Sequence, residues 1–386
     1  MTRHQDGVET AGLSAQDQQR LDQLYERLQS EYGRFLGYPC HSELDCSPLY
    51  RFLSLPINNV GDPFVPSNYH LNTHEIECEV LREFARLTKA PTDQFWGYVT
   101  SGGTEGNMYG VFLAREVFPE GMVYFSEDTH YSVAKALRVL HIRNIMIASR
   151  PDGAMDLNDL RETIRIHRDT PAIIFANIGT TMKGAVDDLR GIQAIFKELA
   201  LTQHYIHADA ALSGMILPFV DHPQPWNFED GIDSISISGH KMIGAPLPCG
   251  VALAKKWNVD RIARSVEYVG TLDTTLAGSR NAVTPLFLWY AFRAMGLERI
   301  RTRVRRCLEV AEHAVQRLRA IGCEAWRHEN SITVVFRRPS SAITQKWQLA
   351  PQKEWTHLIA MPHVTRAKVD QLVGDIAADR QAAAVA

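Results

Sequence analysis

The sequence predicts an α/β protein: a largely parallel central sheet covered by helices, with a smaller C-terminal α+β domain. Between Trp96 and Ala254, short apolar segments alternate with helical ones, as expected of βαβ units. After Pro285 this alternation stops, and a long basic helix is followed by two short strands and a final helix. We therefore divide the chain into an N-terminal helix with an irregular segment, a large α/β domain and a small α+β domain, over residues 1–69, 70–285 and 286–386.

The N-terminal segment begins with a predicted helix and continues as a loop. Ser14 is a favourable N-cap, and the apolar residues after it recur at helical spacing up to a stop near Gly33 or Gly37. These apolar residues are Leu21, Leu24, Tyr25, Leu28 and Tyr32. The stretch 38–69 is rich in turn residues, and so long an irregular segment is often a binding loop. A second helix is predicted over residues 75–87.

Short apolar runs predict the strands of the central sheet, because turn or helix signals separate them. These runs are Met122–Phe125, Ile145–Ala148, Ala172–Asn177, Tyr205–Ala208 and Ile235–Ile237. The other predicted elements are the helices Met108–Val117, Leu189–Leu199, Ile300–Ala320 and Arg366–Asp379, and the strands Ile332–Phe336 and His357–Met361. Ligands of such sheets bind at the carboxyl ends of the strands, so the residues that follow each strand are the first candidates for function.

Composition excludes several classes of protein. The 386 residues carry a net charge of -3, which gives no reason to expect a nucleic-acid partner. No apolar run approaches the roughly 18 residues that span a membrane, and the polar start indicates a cytoplasmic protein. The six cysteines are scattered and are expected to be reduced, while His70 and His74 lack the HExxH context of a metal site, so we predict no metal.

Four groups of residues could carry chemistry, and the first is the segment from Ser101 to Asn107. Its glycines allow backbone N–H groups to approach an anion, the start of a helix favours negative charge, and Thr104 adds a hydroxyl donor. The alternative is a helix cap in which Gly103 permits close packing. The segment is neither a Walker A loop nor GxGxxG.

The other three groups each contain one titratable residue near the end of a predicted strand. His130 lies in DTHYS, Asp209 in HADAA and Lys241 in SISGHK. Taken singly, His130 could be structural and Asp209 could be a helix N-cap. A lysine in such surroundings is unusual, because lysines are normally solvated, and burial would make its amine a nucleophile toward a carbonyl.

One cofactor would use all four groups together. An anion site suits a phosphate, an imidazole can stack on an aromatic ring, a carboxylate can keep a pyridine nitrogen protonated, and a lysine can bind an aldehyde as an imine. This combination predicts a pyridoxal-phosphate enzyme.

The chain also resembles the group II pyridoxal-phosphate-dependent amino-acid decarboxylases, most of all the bacterial histidine decarboxylases, from about Gly37 to Val373. The stretches that carry the resemblance are WGYVTSGGTEGNMYG, DTHYSVAK, IIFANIGTTMKGAVDDL, HADAALSGMILPFVD and SGHKMIGAPLPCG. The resemblance implies fold type I, the aspartate-aminotransferase-like fold of pyridoxal-phosphate-dependent transferases, and decarboxylation of an L-amino acid. It also implies a homodimer with active sites at the subunit interface, which the segment before Tyr69 would help to form.

The resemblance further implies a role for each matching residue. Lys241 matches the Schiff-base lysine, Asp209 the partner of the pyridine nitrogen and His130 the imidazole stacked on the ring, with Ala211 on its other face. The residues that match the phosphate site are Gly103, Thr104, Ser238 and His240. Thr181 matches a contact on the 3-hydroxyl side of the cofactor. Tyr268, on a Gly- and Thr-rich segment, and His130 are the two candidates for the acid that protonates Cα, and packing is the alternative for Tyr268.

The substrate stays open between histidine, which we favour, serine and another small amino acid. The catalytic core resembles histidine decarboxylases, whereas the loop around Asn59, Asp62, Phe64 and Tyr69 is more similar to the plant serine decarboxylases. We take these four residues as candidate substrate residues. Ala282-Val283 also stands where both groups usually have Gly-His.

Two further interpretations remain. Another fold-type I enzyme, such as an aminotransferase or a cysteine desulfurase, could use the same lysine and aspartate. A non-catalytic homologue could bind the cofactor for regulation, although no DNA-binding segment is appended.

Overall fold

The computed structural model describes residues 12–267 and 270–385. Its helices are α1 Ala15–Tyr32, α2 His74–Leu87, α3 Gly103–Val117, α4 Ser132–Val139, α5 Leu157–Ile166, α6 Leu189–Glu198, α7 Lys256–Val259, α8 Thr284–Ala320, α9 Ser341–Lys346 and α10 Arg366–Val385. Short 3-10 helices cover Ser47–Ser54, Ser213–Met215, Leu217–Phe219 and Phe228–Asp230.

The strands fall into one large sheet, one small sheet and two short pairs. They are β1 Asn58–Val60, β2 Phe95–Thr100, β3 Met122–Ser126, β4 Asn144–Ile147, β5 Ala172–Asn177, β6 His204–Asp209, β7 Ser234–Ser238, β8 Gly250–Lys255, β9 Arg264–Val266, β10 Thr271–Asp273, β11 Ser279–Asn281, β12 Ala325–Trp326, β13 Thr333–Arg337, β14 Ala350–Gln352 and β15 Trp355–Ile359.

The large sheet has seven strands in the order β2-β8-β7-β6-β5-β3-β4. β8 runs antiparallel to both of its neighbours, while the other strands share one direction. The predicted, largely parallel sheet is therefore confirmed, and each of the five predicted runs forms a strand to within one or two residues. Because the strands are parallel, the residues after β2, β3, β5, β6 and β7 meet at one edge of the sheet.

Helix α3 packs closely on this sheet because two of its residues are glycines that face it. A Cβ added to Gly106 would stand 2.3 Å from Oγ of Ser236, and one added to Gly110 would stand 2.0 Å from Nδ1 of His207. Real Cβ atoms do not approach so closely, so the two glycines set the spacing between helix and sheet. This spacing places the N-terminus of α3 beside the ends of β6 and β7.

The small domain is an antiparallel sheet with helices against it. Its strand order is β12-β13-β15-β14, and α8 and α10 pack on one another. Gly296 interrupts α8 with a φ of +66°, so two helices join there at a kink, and sequence periodicity had predicted only the second. Helix α10 continues beyond the predicted end at Asp379 to Val385. The predicted domain boundaries stay a prediction.

The N-terminal helix begins as predicted and lies on the surface. The Ser14 side chain accepts a hydrogen bond from the Asp17 backbone N–H at 3.1 Å, and residues 15–31 are all exposed. The chain then joins the small domain, where the N–H of Ile359 donates to the carbonyl of Leu36 at 2.8 Å. This contact joins the N-terminal segment to β15 of the small sheet.

Candidate active site

One cavity of about 370 Å³ opens at the carboxyl edge of the large sheet. It contains every residue for which the sequence predicted a cofactor contact, although these residues come from five separate stretches of chain. They are Gly103, Thr104, His130, Thr181, Asp209, Ala211, Ser238, His240 and Lys241. The structure thus brings these nine residues together, and their individual roles stay predictions.

The first wall of the cavity is the start of α3. Gly102 caps the helix with a φ of +146°, a conformation that favours glycine, and the N–H groups of the first turn have no intrahelical acceptor. A Cβ on Gly103 would lie 3.0 Å from Oγ of Ser238, and one on Gly102 would lie 3.8 Å from Cε1 of His240. Helix N–H groups, a hydroxyl and an imidazole therefore surround one small space, which suits an anion.

Lys241 follows β7 and is half-buried in the wall of the cavity. Burial lowers the pKa of its amine, while the nearby Asp209 carboxylate and Cys40 raise it in opposition. Burial is the largest of these effects, so the pKa of the Lys241 amine is lowered overall. A larger fraction of this amine is therefore neutral than in an exposed lysine. A neutral amine is the form that attacks a carbonyl.

Asp209 ends β6 with both carboxylate oxygens hydrogen-bonded. Nδ2 of Asn107 donates to Oδ2 at 2.8 Å, and the N–H of Ala211 donates to Oδ1 at 3.1 Å. The carboxylate is therefore held in one orientation in the cavity that contains Lys241. Asn107 was not among the predicted functional residues, although it stands in the GGTEGN stretch.

His130 lies half-buried in the turn after β3. Its Nδ1 is 2.8 Å from Oγ of Ser132 and accepts a longer hydrogen bond from the Ser132 N–H at 3.4 Å. Burial lowers the pKa of the imidazole and is the largest effect; the Asp209 carboxylate raises that pKa, while Lys241 and Lys135 lower it. The ring is therefore a neutral aromatic surface at the cavity wall, as stacking on a cofactor would require.

The remaining wall comes from the N-terminal segment and the small domain, and none of its residues was predicted individually. The lining residues contributed by the N-terminal segment and the small domain are Gly37, Tyr38, Pro39, Ser331, Thr333, Ala350, His357 and Ile359. His357 is buried, with its ring nitrogens 3.0 Å from the Gly37 carbonyl and 3.1 Å from the Met182 carbonyl. This histidine therefore connects the N-terminal segment to the loop after β5.

The four predicted substrate residues do not line the cavity of their own chain. Asn59 and Asp62 are buried, and Asn59 donates to Glu77 at 2.6 Å while Asp62 accepts from the indole of Trp96 at 2.9 Å. Phe64 packs edge-on against a neighbouring phenylalanine ring, and the hydroxyl of Tyr69 donates to a backbone carbonyl. Their substrate role stays a prediction.

Tyr268, the other predicted proton donor, lies outside the described residues. Over residues 12–267 and 270–385, no group of three or more His, Cys, Asp or Glu side chains is arranged to bind a metal ion. Among the helices of those same residues, none combines the length and apolar character needed to cross a membrane.

The chemistry of the cavity fits pyridoxal phosphate. The start of α3, with Ser238 and His240, offers donors to a phosphate in a space that a Cβ at Gly103 would obstruct. The Lys241 amine, whose pKa is lowered, is available for an aldehyde, and the fixed Asp209 carboxylate is available for a ring nitrogen. The three functional parts of the cofactor thus each have a partner in one cavity.

Comparison with known proteins agrees with this fit. The family description "Pyridoxal-dependent decarboxylase conserved domain" matches residues 70–338. The histidine decarboxylase of Pseudomonas entomophila (strain L48) is 49% identical over 373 residues, which are 96% of this chain and 92% of that protein. The histidine decarboxylase of Morganella morganii is 48% identical over 370 residues, or 95% of this chain and 98% of that one.

Solved structures share the fold. L-methionine decarboxylase from Streptomyces sp. 590 superposes with a TM-score of 0.86 at 27% identity, covering 96% of this chain and 97% of that chain. Glutamate decarboxylase from Lactobacillus brevis, at 16% identity, superposes with a TM-score of 0.81 over 99% of this chain and 95% of that chain. The predicted fold type and cofactor are confirmed, and the chain belongs to the pyridoxal-dependent decarboxylase family.

Proposed function

We propose that this chain decarboxylates L-histidine to histamine and carbon dioxide, with pyridoxal phosphate as its cofactor. The choice of histidine as substrate rests on one observation: the chain is 48–49% identical, over nearly its whole length, to relatives named histidine decarboxylase. The cavity around Lys241 supports the chemistry, because it brings the residues of the cofactor site together.

The chain's own groups divide the work by their chemistry. Lys241 would bind the aldehyde of the cofactor, since burial favours its neutral amine. Asp209 would favour a proton on the ring nitrogen through its negative charge, and Asn107 and the N–H of Ala211 fix its two oxygens at the end of β6. His130 and Ala211 would hold the two faces of the ring. When bound, the cofactor accepts the electron pair left on Cα as carbon dioxide departs.

The remaining site residues bind and orient the cofactor. Gly103, Thr104, Ser238 and His240 would bind its phosphate, and Thr181 would contact its 3-hydroxyl side. A proton must then be delivered to Cα, for which His130 and Tyr268 remain the two candidates.

The loop that contains Asn59, Asp62, Phe64 and Tyr69 would affect the choice of substrate indirectly. Asn59 and Asp62 are satisfied by buried partners, so they influence the substrate through the loop that they hold. Phe64 and Tyr69 are 37% exposed and remain available to a ligand or a second subunit.

A homodimer completes the proposal. Helix α1 exposes an apolar face formed by Leu21, Leu24, Tyr25 and Leu28, which are 41–63% exposed. An isolated surface helix seldom keeps such a face in water, and a second copy of the chain would cover it. A cytoplasmic location is proposed with it.

The proposal is tested by incubating the cofactor-loaded protein separately with each of the twenty amino acids and identifying amines by mass spectrometry. Histamine from histidine is the expected product, and the Lys241→Ala variant is the control that removes it. Ethanolamine from serine would show that the loop around Asp62, and not the catalytic core, determines the substrate. An absence of any amine would contradict the proposed chemistry.

A further inference from the structure

A chain of buried hydrogen bonds leads away from Asp209 into the core behind the cavity. Nδ2 of Asn107 lies 2.8 Å from Oδ2 of Asp209, and Oδ1 of the same amide lies 3.0 Å from Nε2 of His207. Nδ1 of His207 lies 2.8 Å from Oγ of Ser234. Asn107, His207 and Ser234 are at most 4% exposed, so the chain is isolated from water.

The chemistry of the groups determines the direction of each hydrogen bond. A carboxylate only accepts, so Asn107 must present its N–H to Asp209 and its carbonyl oxygen to His207. An amide oxygen also only accepts, so Nε2 of His207 must carry the proton. Nδ1 is then bare and accepts from the hydroxyl of Ser234. Four groups thus have a single consistent arrangement.

Burial keeps this arrangement neutral at His207. The ring is fully buried and its pKa is lowered to about 3, so it stays uncharged at any pH at which the protein would work. A residue larger than glycine at position 110 would collide with Nδ1 of His207, so helix α3 packs directly against the ring and restricts its position. The ring therefore has a fixed tautomer and a fixed position.

We propose that Asn107 and His207 are positioning residues that hold Asp209 as a fixed, acceptor-only carboxylate toward the ring nitrogen of the cofactor. Without the N–H of His207, the carbonyl of Asn107 has no donor, and its amide can rotate and cease to donate to Asp209. From the proposed function this inference takes only that the protein uses pyridoxal phosphate. It does not depend on which amino acid is the substrate.

The test compares His207→Leu with His207→Gln. Leucine removes the donor, whereas the glutamine amide can still donate to Asn107. For His207→Leu we expect about tenfold weaker cofactor binding and about tenfold lower kcat, with KM for histidine within about twofold, as when a supporting hydrogen bond behind a site is lost. His207→Gln should recover to within about threefold of the parent.

A spectroscopic readout separates positioning from a general loss of structure. With cofactor labelled with ¹⁵N in its ring, the parent should show a protonated ring nitrogen, and His207→Leu should shift toward the unprotonated form. The matched control is Tyr124→Phe, which removes a buried hydroxyl without a hydrogen-bond partner among the described residues and should change neither quantity.

Two results would overturn the inference. One is a His207→Leu variant with the parent's cofactor affinity and ring-nitrogen shift; the other is a His207→Gln variant no better than His207→Leu. If His207→Leu does not fold, the tautomer of His207 in the parent, measured with ¹⁵N-labelled histidine, decides: Nε2–H supports the inference and Nδ1–H contradicts it. The affinity and the shift are measured without substrate, so failure of histidine as substrate leaves this test intact.

Discussion

Replacing Arg280 by leucine should destabilise the protein strongly, because Arg280 neutralises a carboxylate in the core. Arg280 and Glu77 form an ion pair in which the side chains are only 3% and 0% exposed. Removing the guanidinium leaves Glu77 with the amide of Asn59 and the N–H of Val99 as its donors. Breaking a buried pair by removing one partner costs about 3–5 kcal/mol. For a chain of this length, this cost corresponds to a fall of roughly 4–6 °C in Tm.

The matched control is Arg293→Leu, which removes a similar pair from the surface. Arg293 lies 2.5 Å from Glu79, but their side chains are 57% and 33% exposed. Exposed pairs contribute about 0–1 kcal/mol, so Tm should change by about 1 °C or less. Thermal unfolding of both variants, followed by circular dichroism without cofactor, compares them directly. Equal shifts would refute the interpretation of Glu77 and Arg280 as a buried charge pair that holds the loop from Asn59 to Asp62.

Four further outcomes follow from the site and its surroundings. Lys241→Ala should remove the visible absorbance of bound cofactor and lower turnover at least about a thousandfold; retained turnover would contradict its role. Asp209→Ala should weaken cofactor binding and slow decarboxylation, and a variant with the parent's rate would exclude the ring-nitrogen role. Gly106→Ala should cost about 1–3 kcal/mol in urea unfolding, because its Cβ meets Ser236; an unchanged midpoint would show that α3 can move. Below pH 6.5 the unfolded chain protonates His207 while the folded chain, with a pKa of about 3, does not, so His207 by itself lowers stability by about 2 kcal/mol at pH 5. Burial also lowers the pKa of His41, which adds to this loss, so His207→Gln should reduce the pH dependence of the urea midpoint without abolishing it.

Helix caps and buried apolar strands were predicted well from the sequence, because each depends on residues that are adjacent in the chain. The Ser14 cap and the apolar runs of β3 to β7 lie where the sequence placed them, because caps and buried strands depend on adjacent residues. The pairs β1–β11 and β9–β10 were not predicted. Each of their strands has only three residues, and β1 pairs with residues more than two hundred positions later.

The site shows the same division. Lys241, Asp209 and His130 stand in recognisable stretches after strands, and parallel strands bring those stretches together. The contact from Asn107 to His207 joins residues a hundred positions apart, and no role was predicted for either, although both stand in stretches that were expected to carry chemistry. Their pairing depends on how closely α3 approaches the sheet, which the sequence expresses only as glycines on one face of a helix.

Measuring carbon dioxide and amine in the same reaction decides whether this chain is a decarboxylase. With carboxyl-labelled L-histidine and the cofactor-loaded protein, we expect labelled carbon dioxide and histamine in a one-to-one ratio, both dependent on Lys241. A keto acid formed with retention of the label would instead indicate amino transfer, and bound cofactor without any product would indicate a non-catalytic protein. Either of these results would contradict decarboxylation as the function of this cavity.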